Sequence, residues 1–567
     1  MTRRTISLRQ GLGALALLCA SAIPASGQIV FDHNVLFDNP GANGDYENDA
    51  AVAGPCFNSE TALGETTFTH NQSQDAGEIA DPKIIDPYNE VTPNWRPQAG
   101  MGSAALNESP NYFPIAQLPD DGFFTQKCFR GALSPVLAED WTQGWTYYSK
   151  NGAGRTDIDY GKPLAILTGQ LNVVYCDADS NYLLRGRVGI NTLITIEPGT
   201  VIFGEKATTG YLVIERGADI EANGTFADPI IMTSDQLPGD MDRGDWGGLV
   251  IHGLALANCA ACSTGATCVS EGAAGIFCGP DDNDDAGTLR YVRIEYPGIV
   301  LEEGNELNCL TMNAVGRNTT IDYVQCHMGA DDTFEWFGGT VNCSHLVSTG
   351  TSDDNFDWQL GYRGKVQCAV AQMYKDLATA DKGIEADNRN GAENALPRSN
   401  PTMSNLTLIG RGTQPGLGST IGVHLRLGTG GTIVNSVIMG FLSAGIDVDD
   451  VSTYAQGCGA ALPIALDCDA RTGVPGAPSS ETLVVRSFPN PAVDNANISF
   501  SLPTSGRTRV DIFDAAGRRV ANLLDRTLPA GAHEVRWNLP KTSAAGNYFY
   551  RVASGNATAT GKIVSIR

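Results

Sequence analysis

Between residues 165 and 450 the chain is a succession of short, apolar, β-branched runs cut by glycine, asparagine and other polar residues. They include LITIEPGTVIFG, YLVIERGADIEANGT, PIIMTS, GLVIHG, LRYVRIEYPGIV, TTIDYVQC, GGTVNCSHLVS, GKVQCAVAQ, SNLTLIG, IGVHLRLG, GTIVNSVIMG and AGIDVDD, each closed by glycine, asparagine or another polar residue. Each is strand-length, and none keeps helical spacing over three turns. Strands returning roughly every 20 residues without helices between them predict a parallel β-helix solenoid, in which every coil stacks on the one before. Asn-Gly hairpin turns, which a sandwich needs, are scarce.

One repeat fixes the expected length of a coil. Asp331-Asp332-x-Phe334-Glu335-Trp336 returns as Asp353-Asp354-x-Phe356-Asp357-Trp358, an offset of 22 residues. Stacked coils lie about 4.8 Å apart. Alternation then sends Phe334 and Trp336 inward onto Phe356 and Trp358, and Thr333 and Glu335 outward in line with Asn355 and Asp357. Val324-x-Cys326, Val341-x-Cys343 and Val366-x-Cys368 read as a second inward stack of small apolar residues.

After the Pro/Gly/Ser-rich stretch GVPGAPSSET (473–482) the pattern changes. Ile498, Phe500 and Leu502, Val510 and Ile512, Val535 and Trp537, and Tyr548, Tyr550 and Val552 alternate in strands joined by turns such as Ala516-Gly517 and Ala530-Gly531. That predicts a small antiparallel Ig-like sandwich. The expected organisation is an export leader over 1–27, an N-terminal cap or irregular region over 28–150, a β-helix over 151–472, a linker over 473–482 and the sandwich over 483–567.

Composition excludes some functions. With 42% apolar residues, 8% aromatics and 65 glycines, the 567-residue chain is a folded protein with many tight turns. Its 38 basic and 63 acidic residues give a net charge of −25. Nucleic acid and anionic membrane surfaces both require positive potential, so neither is an expected partner. The leader has Arg3, Arg4 and Arg9 before LGALALLCASAI, with Ala25 and Gly27 as small residues for cleavage. No apolar run is long enough for a transmembrane helix. Leu18 before Cys19 argues against lipidation.

Export puts the cysteines in an oxidising compartment. Without Cys19 an odd number remains, so at least one thiol is expected unpaired and interior. Cys259, Cys262, Cys268 and Cys278 crowd into a loop-like segment; two local disulfides are expected there ahead of a zinc site, because the spacing after the C-x-x-C start fits no zinc pattern. Cys458 and Cys468 are expected to close another loop.

The repeat also stacks carboxylates. Asp331, Asp332, Glu335, Asp353, Asp354 and Asp357 recur in register with no basic residue between 331 and 362. Glu335 above Asp357 sets like charges about 5 Å apart, roughly 3 kcal/mol of repulsion at an effective dielectric near 20. Such a column needs a cation, raised pKa values or full solvation. Ca²⁺, which takes six to eight oxygen ligands in loose geometry, is the candidate ion. Asp281 to Asp285 and GIEADN (383–388) are further acidic groups.

The middle of the chain resembles a group of exported bacterial right-handed β-helix proteins of the cell surface, through GDWGGLVIHG (244–253), GTLRYVRIEYPG (287–298), TTIDYVQC (319–326), DDTFEWFGGTVN (331–342) and SNLTLIG (404–410). Upstream, FFTQKCFRGALSPVLAEDWTQGWTYYS (123–149) is similar to a segment found beside such helices. DPKIIDPYNEVTPNWRPQAGMGSAAL (81–106) resembles a phrase that ends many β-helix domains, here expected to cap the first coil or to be the remnant of a shortened helix. The last domain resembles the type A C-terminal sorting domain of type IX secretion, through Pro489-Asn490-Pro491, Asp514 to Gly517 before a basic pair, Gly546-x-Tyr548 and a final strand with Lys562. That resemblance implies the type IX machinery as partner, passage through the periplasm and display on the outer surface or release.

Two functions are expected on these grounds. The first is a binding or adhesive protein for extracellular polysaccharide, for which the aromatics of EDWTQGWTYY offer sugar platforms; a core or cap role for Trp141 and Trp145 is the competing reading. The second is a calcium-dependent polysaccharide lyase or glycoside hydrolase, with Asp331, Asp353 and Asp357 as acids and Arg363, Lys365, Lys382 or Arg389 as base; it rests on fold analogy. His327 and His345 read as ordinary polar surface positions.

Overall fold

The computed structural model describes residues 156–450 with breaks at 303–304, 377–381 and 413–420, and shorter stretches between 29 and 148 and between 452 and 565. The leader, the 473–482 linker, Cys458, Cys468 and the Pro489-Asn490-Pro491 signature lie outside the described residues. Contacts divide the chain into two units, Met1–Ala461 and Leu462–Arg567.

The first unit is a parallel β-helix in which 24 strands form one continuous sheet. Its register follows the repeat: Phe334 pairs with Phe356, Glu335 with Asp357 and Trp336 with Trp358, one coil apart. Each coil has three faces. In one coil these are residues 324–327, 334–337 and 343–344, stacking on 346–349, 356–359 and 366–367 of the next. Single strands turn corners by placing one residue in left-handed backbone, as at Tyr291 (φ 48°), Tyr323 (φ 56°), His345 (φ 51°), Cys368 (φ 62°) and Asn405 (φ 60°). Such a conformation is unfavourable without glycine. Here stacking offsets it, since the ring centroids of Tyr291 and Tyr323 are 4.4 Å apart and those of Tyr323 and His345 4.1 Å apart.

Phe334, Trp336, Phe356 and Trp358 are buried in the core as the alternation requires. Phe334 stacks on Phe356 at 5.7 Å, whereas Trp336 stacks on Tyr362 at 5.1 Å and Trp358 donates its indole N–H to Thr429 Oγ1 at 3.0 Å. Thr333 and Asn355 do not face outward: both are fully buried and hydrogen-bond Ser348 at 2.7 and 2.6 Å. The second expected stack is also displaced. Cys343 lies in register with Ile321 and Val366, and Cys326 with Ser348 and Ala371, because the corner residue between them breaks the two-residue count. Cys326 is disulfide-bonded to Cys309, while Cys176, Cys343 and Cys368 are free and buried. The crowded loop carries the disulfides Cys259–Cys268 and Cys262–Cys278.

The N-terminal region departs most from the expectation of a cap on the first coil. Ile29–Asp32, Val35–Phe37 and Tyr46–Asn48 add the last coil at the opposite end, pairing in parallel with Gly431–Val434, Val437–Met439 and Ala444–Val448. The phrase at 81–106 therefore follows the spatially final coil, where an ending phrase belongs. The chain then returns along the flank: Trp95 Nε1 donates to Gln372 Oε1 (2.9 Å), the Ala132 N–H to Thr407 Oγ1 (2.8 Å) and the Tyr147 N–H to Gln325 Oε1 (2.8 Å). Trp145 is wholly buried and meets Tyr291 and Tyr323 edge-on at 5.8 and 6.1 Å, and Trp141 meets Tyr323 and His345 at 6.3 and 5.0 Å, so both tryptophans pack the strap onto the solenoid.

The second unit contains a three-stranded antiparallel sheet (Val484–Phe488, Asn495–Leu502, Gly531–Asn538) and a four-stranded one (Arg519–Leu528, Gly506–Asp514, Gly546–Ser554, Ala557–Ser565). Ile498, Phe500, Val510, Ile512, Trp537, Tyr550 and Val552 fill the core of this Ig-like sandwich.

Candidate cation-binding cleft

Along one face of the solenoid, ionisable residues occupy the same position in five successive coils: Glu335, Asp357, Glu385, His424 and Asp447. Each lies between two inward apolar residues, as in Phe334-Glu335-Trp336, Ile384-Glu385-Ala386 and Val423-His424-Leu425, so the alternation that builds the core also aligns the charges. Asp331, Asp332, Asp353 and Asp354 come from the corners preceding two of these strands.

All six carboxylates expected to form a column are brought together. Ligand oxygens of Asp331, Asp332 and Asp353 lie within 4.8 Å of one another, and the same holds for Asp332, Glu335 and Asp357 and for Asp354, Asp357 and Glu385. Asp353 is exposed, but Asp331, Asp332, Glu335, Asp354 and Asp357 are at most 8% exposed, so full solvation is not what relieves the repulsion. Glu335 accepts hydrogen bonds from Asn308 and from Gln359 Nε2 (3.1 Å), and Asp332 Oδ1 accepts from the Asp354 N–H at 2.9 Å. Asp331 Oδ2 and Asp357 Oδ1 are buried with no hydrogen-bond partner among the described residues.

Burial is the reason these groups resist ionisation, and their neighbours add to it. Desolvation, then Asp353, push Asp331 up to about 8. Desolvation followed by Asp354 holds Asp332 well above the carboxylate range, and desolvation followed by Glu271 does the same for Glu335. Asp357 is raised by burial and then by Glu385.

The roof over this face comes from insertions. The disulfide-tied loop brings up Ser270, whose Oγ accepts from Asn313 Nδ2 at 3.2 Å, and with it Glu271. Burial and Glu306, from the hairpin Ile299–Glu302 and Asn305–Leu307, push Glu271 up to about 8. Positive charge arrives from later coils. Lys382 Nζ lies 3.6 Å from Asp354 Oδ2 and 3.3 Å from Glu385 Oε1, and Arg426 reaches Glu385 and Asp387 at 2.8 Å each. Further on, His424 Nε2 is 2.8 Å from Asp449 Oδ2 and 3.9 Å from Asp447 Oδ2.

Of the four bases considered from sequence, only Lys382 stands at the column. Arg363 is paired with Asp282 (2.8 Å), Lys365 with Asp121, and Arg389 donates to Asn258 O (2.8 Å). The Asp281–Asp285 group is likewise committed to the scaffold, with Asp284 Oδ2 accepting the Leu254 N–H at 2.9 Å. His327 is buried rather than a surface residue, stacked on Tyr147 at 4.1 Å because the strap covers it, and His345 Nδ1 lies 2.8 Å from Asp322 Oδ1. Glu271, Glu306, His424, Arg426, Asp447 and Asp449 were not picked out from sequence. Insertions break the 22-residue offset beyond Asp357, and only the apolar-polar-apolar triplet persists there.

The donor set suits a hard cation. Several buried carboxylates, two with unpartnered oxygens, would provide the all-oxygen environment Ca²⁺ takes, and the ion would offset negative charge that burial has stripped of solvent.

Among the described residues no helix is long and apolar enough to cross a membrane. A family model described as a secretion system C-terminal sorting domain matches residues 486–566. The chain is therefore exported by type IX secretion to the cell surface or the medium. No curated protein and no solved structure matches. A second family model matches residues 169–465, more than half of the chain and the whole of the acidic column, and by that match the chain belongs to the pectate-lyase like beta helix domain family.

Proposed function

We infer that this secreted surface protein binds divalent cations, calcium foremost, in its acidic column, and that the face so organised binds an extended polysaccharide. The observation that carries the reading is the set of carboxylates buried at one position of successive coils, with Asp331 Oδ2 and Asp357 Oδ1 lacking hydrogen-bond partners. Like charges at that spacing repel by a few kcal/mol per pair unless neutralised. A solenoid face is long and straight, which suits a chain-like ligand. Isothermal titration with calcium, then with neutral and acidic polysaccharides in calcium and in chelator, tests it. Calcium-dependent polysaccharide binding is expected; absence of calcium uptake overturns the cation site, and uptake without polysaccharide binding overturns the partner.

Lys382 and Arg426 beside the column favour a second reading, a calcium-dependent lyase or hydrolase in which one of them handles a proton or an anionic substrate group. New unsaturated or reducing ends in the same panel, lost in Lys382→Ala, would establish it. Binding without cleavage is the expected result.

A further inference from the structure

We propose that the first coil, Leu164–Cys176, is a docking edge for a second copy of this chain, giving an end-to-end dimer about a two-fold axis. This strand is a complete turn of the solenoid. Residues 164–168 lie over 181–185 on one face, 169–171 over 188–190 on the next and 173–176 over 193–196 on the third. No described strand pairs with its other edge. Terminal strands and coils are ordinarily protected by charge, proline or a polar cap. LAILTGQLNVVYC carries no charge and no proline over 13 residues. Leu164, Ile166, Val173 and Tyr175 are 55, 49, 68 and 58% exposed, and the inward Ala165, Leu167, Leu171 and Val174 are only partly buried against the core. The opposite end differs, since Gln72–Ser73 pairs over Val35 and Leu36 there.

The layout of the coil selects the occupant. Its corners fall between Thr168 and Gly169 and between Leu171 and Val173, nearly symmetric about Gln170. An antiparallel copy with Gln170 opposite Gln170 sets residues 164–168 of each chain against 173–176 of the other. Asn172 is then left as a one-residue bulge at each corner, the ordinary way for a sheet to bend. That register puts inward residues opposite inward ones, Leu167 with Val174 and Ala165 with Cys176. It puts outward residues opposite outward ones, Ile166 with Tyr175 and Thr168 with Val173. The flanks match as well: Lys162 of one copy falls opposite Asp179 of the other. In a chain of net charge −25, this uncharged edge is where a second copy meets the least repulsion. A two-fold contact needs one self-complementary patch, which the coil supplies.

Sedimentation equilibrium on the full chain should give twice its 59.9 kDa mass at micromolar concentration. Ile166→Lys with Val173→Lys, both at exposed positions, should leave melting unchanged in protein dilute enough to be monomeric and raise the dissociation constant by about a hundredfold, since the two-fold presents each substitution twice. If that variant does not fold, the register is read from a charge pair that faces only across the two-fold, since within one chain Thr168 pairs with Arg185 and Val173 with Leu193: Thr168→Asp or Val173→Lys alone should weaken the dimer, and the two together should restore it. A wild type that stays monomeric at all concentrations, as when part of its own chain covers the edge, overturns the proposal. So does a dimer indifferent to the lysine pair, or singles that weaken it without rescue in the double.

Discussion

Asp357→Asn should stabilise the protein in chelator and abolish its response to calcium. Asp357 stands between Glu335 and Glu385 in the ladder, with ligand oxygens of each within 4.8 Å of its own. At that distance and an effective dielectric near 20 each ionised pair repels by about 3 kcal/mol. The repulsion is complete only where the carboxyls are ionised, and burial raises Glu335 and Asp357 well above the carboxylate range, so the comparison is made over a pH series running upward from neutral. Glu385 is offset by Lys382 at 3.3 Å and Arg426 at 2.8 Å, which leaves the Glu335 pair to be relieved; an unfolding entropy of about 2.1 cal/mol/K per residue over some 300 residues converts its 3 kcal/mol into about 5 °C. In calcium at a hundred times its dissociation constant the wild type regains about 2.7 kcal/mol, or about 4 °C, and the variant should not. Differential scanning calorimetry in both conditions reads all four values. A variant that melts lower than wild type in chelator, or that keeps the calcium shift, would refute the idea that the column is a repulsive array neutralised by a cation.

In chelator, wild-type stability should fall as pH rises from about 4 to about 8, since Asp331 and Glu271 are pushed up to about 8 and the folded state holds protons there that the unfolded chain has released; urea melts across that range check the sign, and stability rising with pH would show these carboxyls to be ionised in the fold. Truncation after residue 482 should leave a folded solenoid retained in the periplasm; surface delivery of the truncated chain, scored by fractionation, would remove the sorting role from the sandwich. Alkylation of the native protein should spare Cys176, Cys343 and Cys368, whose thiols burial pushes up to about 12, 12 and 11, and should label them after denaturation, with native labelling in mass spectra as the contrary result.

The register of Phe334 on Phe356 and of Glu335 on Asp357 was legible because two neighbouring coils kept the same length and nearly the same residues. What hid the rest was long-range. Nothing within 331–362 announces that Glu271 and Glu306 roof the column, or that Lys382 and Arg426 flank it, because insertions of unequal length carry them there. Cys326 looked like a member of an inward thiol stack until the corner at Tyr323 shifted the count and left it beside Cys309. The strands at 29–48 stayed hidden in a region expected to be a cap or irregular, for the same kind of reason: a strand's own sequence does not say which end of a solenoid it will complete.

That completion bears on how the molecule is made. Asn34 donates to Ile433 O at 3.0 Å across 399 residues, and Ile29 pairs with Gly431. A solenoid ordinarily grows by adding neighbours, each contact local in sequence. Here the final coil cannot form until the chain has been synthesised past residue 448, so the N-terminal strands wait, unpaired, through the assembly of everything between. Closing so long a loop is slow, which delays the last step of folding. Once made, the tie acts as a latch: unzipping from that end must first release the strands at 29–48 and the strap behind them. Fraying of the solenoid, in protein dilute enough to be monomeric, should therefore begin at the first coil, and hydrogen exchange there should be the fastest of any full turn.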